Sequence, residues 1–180
     1  MKLKDIPMDT SKQASISEKK AHEVYLNSII TTAKENFLKD GELTPIVFIG
    51  TSIANEINMT VIPVAEFMAS ISSKDLLSKM LHQIGKEIEP VCICMITEAW
   101  MAIANADSKD DIVQRGVKNT PGRKEILLFT FESENIIETR TCEIIREDKI
   151  SLDEDLVTIP DRSEGRFTGL LKDIKKIKLN

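Results

Sequence analysis

Residues 90–102 read PVCICMITEAWMA. Every position from Val91 to Ile96 is apolar, which suits a central strand covered on both faces. Pro90 blocks a helix from competing for the same run. An unbroken strand puts Cys92, Cys94, Ile96, Glu98 and Trp100 on one face, and Val91, Ile93, Met95, Thr97, Ala99 and Met101 on the other. Glu98 then falls between an isoleucine and the only tryptophan in the chain. A carboxylate in that company needs a partner, because desolvating an unpaired charge is costly.

The blocks on either side set the architecture. In residues 17–39, Ala21, Val24, Tyr25, Ile29, Ala33 and Phe37 recur at three- and four-residue steps, predicting an amphipathic helix that stops at Asp40 and Gly41. LTPIVFIG (43–50) and INMTVIPV (57–64) read as two short strands, with Pro45 and Pro63 favouring terminal or edge positions. A second helix is expected from Ser72 or Ser73, with Leu76, Leu77, Met80, Leu81, Ile84 and Ile88 on a wide apolar face. Residues 105–123 read as a long loop with one helical turn near 110–115, and 124–148 as a hairpin turning at 133–135. The tail is expected to form an acidic loop and short strand over 150–159, then a helix over 167–179.

This order predicts an α+β fold, a predominantly antiparallel sheet packed against two main helices with a C-terminal helix added. Residues 1–14 are expected as a flexible N-terminal arm and residues 15–180 as a single domain. At 180 residues, with 42% hydrophobic and 29% charged positions, the composition is that of a globular chain. No apolar run approaches the roughly 20 residues of a spanning helix, and the first residues lack the apolar core of an export signal. Three cysteines, an odd number in a chain able to build its own core, point to free thiols and a cytoplasmic setting. A formal charge of -5 with dispersed lysines disfavours nucleic acid as a partner.

Candidate chemistry gathers where the central strand meets the following loop. Arg123 and Lys124 are the nearest cations in sequence pattern, and a Glu98–Arg123 ion pair closing the loop mouth is the structural interpretation. In the functional interpretation, Glu98 is an acid or base and Glu125 orients it. Arg123 and Trp100 then bind an anionic ligand under the loop. No nucleophile with an adjacent base accompanies them. His22 and His82 lack metal-ligand spacing, the acidic run 153–155 lacks the pattern of a calcium loop, and FIGTSIAN is not a phosphate loop. Neither metal nor cofactor is expected. Cys92 and Cys94 are read as small core residues.

The segment TEAWMA, a Pro- and Gly-containing loop, and the strand opening GRKE (122–125) resemble a pattern in an uncharacterised bacterial and phage protein family of unknown function. The resemblance spans roughly residues 30–135 and implies a fold but no activity. The reading favoured by the residues is a binding or assembly module, self-associating or taking a protein partner through an edge strand or a Met-bearing face. The alternative is a hydrolase or transferase acting on a small anionic substrate at Glu98, Arg123 and Glu125.

Overall fold

The computed structural model describes residues 10–53, 56–102, 109–133, 136–153, 156–158, 167 and 169–171. The chain runs through helix α1 (Thr10–Asp40), strands β1 (Ile46–Ile53) and β2 (Glu56–Pro63), helix α2 (Ile71–Ile88) and strand β3 (Cys92–Met101). Helix α3 (Lys109–Arg115) follows, then strands β4 (Lys124–Ser133), β5 (Ile137–Arg146), β6 (Ile150–Leu152) and β7 (Leu156–Thr158). All strand pairs are antiparallel, in the order β2-β1-β3-β4-β5, with β6 and β7 sharing the far side of β5. The expected α+β architecture is present.

The two residue sets of β3 divide the core into two layers. Cys92, Cys94 and Ile96 face α1, packing with Leu26, Ile30, Ala33 and Phe37 and with Leu127, Phe129 and Cys142 of the next strands. Ile93 and Met95 face α2, packing with Val47, Ile49, Leu77 and Leu81. Both sides of β3 are therefore dry, which is why its sequence is a continuous apolar run and not an alternating one. Phe37 is fully buried, a contribution of about 2–3 kcal/mol from its side chain alone.

Gly50 lies between Met59 and Cys92 in the ladder, and those two sulfur side chains fill the space a side chain there would occupy. A Cβ at Gly50 would fall 2.5 Å from Cys92 Sγ and 3.1 Å from Met59 Sδ.

Several boundaries differ from the sequence expectation. Helix α1 begins at Thr10, so it takes in residues 10–14 of the expected arm, while 1–9 lie outside the described residues. Strands β1 and β2 run on to the closing pair Ile53 and Glu56, because β-branched Thr51 and Ile53 suit a paired strand. Helix α2 starts at Ile71, capped by Ser70, whose Oγ accepts from Ser73 N while Ser70 N donates back to Ser73 Oγ, both at 3.1 Å. The helical turn in the long loop is α3, while residues 103–108 lie outside the described residues. Most of the expected C-terminal helix also lies outside them; Gly169, Leu170 and Leu171 form a turn, with Gly169 at φ 75°.

Candidate functional site

Glu98 projects from β3 on the α1 side, where that helix ends. Gly41 at φ 77° turns the chain out of α1, its N–H still donating to Phe37 O at 2.8 Å. Two residues later Leu43 N donates to Glu98 Oε1 at 2.6 Å. The opposite carboxylate oxygen accepts from Arg146, whose terminal nitrogen lies 3.3 Å from Glu98 Oε2. Arg146 holds Glu125 more tightly, in a two-pronged pair at 2.9 Å on each arm, and donates to Gly41 O at 3.0 Å. Its guanidinium carbon also lies 5.5 Å from the Phe37 ring centre. The hydrogen bond to Glu125 raises the Arg146 pKa further, so the cation is permanent.

Sequence proximity points to Arg123 as the cation for Glu98, whereas the structure supplies Arg146. Arg123 instead stacks on Trp100, 4.8 Å from the ring centre. The four candidate residues thus fall into two neighbouring groups, Glu98 with Glu125 around Arg146, and Trp100 with Arg123. Trp100 is paired with Glu125 in the β3–β4 ladder and is 39% exposed.

Beside Glu98 and Arg146 lies an open recess of about 430 Å³, walled by residues 41–45 and Ala65. Every formal charge in the wall other than Arg146 is acidic, and Arg146 already faces two carboxylates. The cluster ties the end of α1 to three strands. Among the described residues, no group of histidines, cysteines or acids is arranged to hold a metal ion. His82 bonds Ser78 O within its own helix at 2.8 Å. The three cysteines are buried and in no disulfide, and burial pushes the Cys94 thiol up to about 12.

Among the described residues, the most deeply buried carboxylate is Glu132, which sequence reading passes over. It lies on the α2 side of β4, 2% exposed, and its two oxygens accept from Leu170 N and Leu171 N, each at 2.9 Å. This clamp seats both leucines in the α2-side core. Its signal was an acid in an otherwise apolar and hydroxyl-bearing run, LLFTFES, near the strand end.

The second candidate surface is the sheet edge at β2. Val64 N donates to Pro45 O at 2.9 Å, just beyond the Ile46–Pro63 pair. Hydrogen-bonded pairs alternate along an antiparallel ladder, so this contact sets the parity. Ile62, Thr60, Asn58 and Glu56 bond to β1, while Ile57, Met59 and Val61 turn their N–H and C=O groups outward. Among the described residues no strand lies on that side.

Comparison with protein-family models, with curated proteins and with solved structures returns no match. No helix among the described residues is long and apolar enough to cross a membrane.

Proposed function

We propose that this chain is a binding or assembly module whose interface is the open edge of β2. The supporting observation is the contrast between the two edges of the sheet. On the far side, β6 and β7 are three residues each, and ion pairs of Lys124 with Glu143 and Arg140 with Glu138 lie beside them. Short strands and charge are how sheets suppress unwanted pairing. On the near side, β2 runs eight residues in unbroken register with no charged residue from Ile57 to Ala65. It has no bulge, and its one proline closes the strand.

A row of unpaired backbone groups backed by Ile57, Met59 and Val61 is a template for another strand. Val61 is already half exposed, so an added strand would cover apolar surface as well as complete the ladder. The proposal also places the protein in the cytoplasm, supported by three buried, unoxidised thiols.

The test is molar mass by light scattering across a concentration series. Assembly should appear at high concentration and should weaken at least about tenfold in Val61→Lys, which puts a charge on the edge without disturbing the core. A monodisperse monomer at every concentration would contradict the reading.

The recess beside Glu98 favours the alternative, a small-molecule site. An anionic substrate entering it would meet Glu42 and Glu98, with Arg146 already engaged by carboxylates, so we rank it second.

A further inference from the structure

Independently of what pairs with β2, we infer that Met59 and Cys92 form a two-sulfur site for a soft monovalent metal ion, copper(I), with Ser133 as the supporting hydrogen-bond donor. The inference comes from one row of side chains that crosses four strands.

Ladder pairing sets Met59 opposite Gly50, Gly50 opposite Cys92 and Cys92 opposite Ser133. Residues directly opposite one another share a face of the sheet, and Met59 and Cys92 both pack on the α1 side. The row therefore reads thioether, glycine, thiol, hydroxyl. Because Gly50 has no side chain, the two sulfurs close in over it, 3.1 Å and 2.5 Å from the point where its Cβ would stand. They can be no farther apart than those two distances laid end to end. A soft ion bonded to both at about 2.3 Å holds them about 4.6 Å apart, inside that limit.

The donors select the metal. A thiolate with a thioether suits copper(I), which accepts two soft ligands in line, whereas zinc takes four ligands. Neither histidine nor carboxylate stands in the row, so calcium and magnesium find no oxygen cage there.

The surroundings of Cys92 are arranged for a negative sulfur. Burial raises its pKa, and the backbone N–H of Gly50 opposes that rise. Ser133 is 4% exposed, and its Oγ has no hydrogen-bond partner among the described residues. A buried hydroxyl without a partner is costly, so its presence needs a reason. A thiolate at Cys92 supplies one, since cross-strand neighbours stand about 5 Å apart at Cβ and a turn about the serine Cα–Cβ bond brings the O–H to the sulfur. Binding exchanges one ion for one proton: the S–H bond breaks, the sulfur–metal bond forms and the proton leaves to solvent, with no change of oxidation state. Met59 is half-buried on the edge strand, so the ion enters from the open side of β2.

The test offers the native chain copper(I) under nitrogen, as its complex with a coloured chelator, and follows the colour lost on transfer. We expect one equivalent to transfer, with affinity rising about tenfold per pH unit as one proton is released, and no competition from excess zinc. Met59→Leu, close in volume, should weaken uptake at least about tenfold, and Cys92→Ser should abolish it, while Cys142→Ser leaves it unchanged. Ser133→Ala should move the midpoint of uptake to higher pH, and an unmoved midpoint would remove Ser133 from the site. Should Cys92→Ser fail to fold, NMR of the native chain decides, because the Met59 methyl resonance should shift more than that of any other methionine. No uptake, uptake indifferent to Met59→Leu, uptake lost instead in Cys142→Ser, or an unmoved Met59 methyl would each overturn the site.

Discussion

Arg146 reaches Glu98 from two strands away, its guanidinium bridging Glu98 and Glu125 while also capping Gly41 at the end of α1. Because all three side chains are partly open to water, the pairings are worth much less than their number suggests. What distinguishes this group is the backbone it holds, since Glu98 and Arg146 each bind the chain leaving α1.

Arg146→Ala should therefore lower stability by about 2 kcal/mol, with Arg146→Lys recovering only part of the loss for want of the two-pronged geometry. Glu98→Gln should cost less and leave the oligomer unchanged. Thermal unfolding with parallel mass measurement checks both. If Glu98→Gln kept its melting temperature but abolished binding of a small anion, the recess would be the functional site.

Gly50→Ala should destabilise by about 1–3 kcal/mol, because its Cβ would overlap Cys92 Sγ. Adding Cys92→Ala removes that sulfur and should return part of the loss. Denaturant titration of both single variants and the double variant measures the coupling, and purely additive costs would contradict this packing.

Glu132→Gln places an amide where two N–H groups need acceptors, so at least one bond is lost, at a cost of about 1–3 kcal/mol. Hydrogen exchange at Leu170 and Leu171 should accelerate at least about tenfold, while amides at the centre of β3 keep their protection. Unchanged exchange at those leucines would show that other contacts hold the segment.

Burial raises the Cys94 thiol from its ordinary value near 9 to about 12, with the neighbouring Cys92 adding to the shift. The folded state then keeps a proton that the unfolded state gives up. This contribution is intact below pH 9 and is lost as pH climbs toward 12. Cys94→Ala should flatten that alkaline decline, measured as unfolding free energy against pH. At pH 8, thiol-reactive reagents should label native Cys94 far more slowly than the unfolded chain.

The layered fold could be read from residues 90–102 because burial on both faces leaves a continuous apolar run, and Gly41 marked the end of α1. The assignment of Cys92, Cys94, Ile96, Glu98 and Trp100 to one face followed from strand parity. The cation opposite Glu98 did not, since Arg146 lies 48 residues away and reaches it only through the β4–β5 register. That register pairs Ile126 with Glu143, so continuing the 124–148 hairpin on paper brings Arg146 to the same face as Glu125. Glu132 was harder to see, because its partners are backbone groups of the tail, and a backbone N–H leaves no trace in sequence.

The most direct test of the edge claim is amide hydrogen exchange along β2, followed by NMR at low and high protein concentration. Asn58, Thr60 and Ile62 should be protected throughout, because their N–H groups bond to β1. Ile57, Met59 and Val61 should exchange quickly when dilute and become protected as concentration rises. If those three stay open at concentrations where assembly is complete, β2 is not the interface.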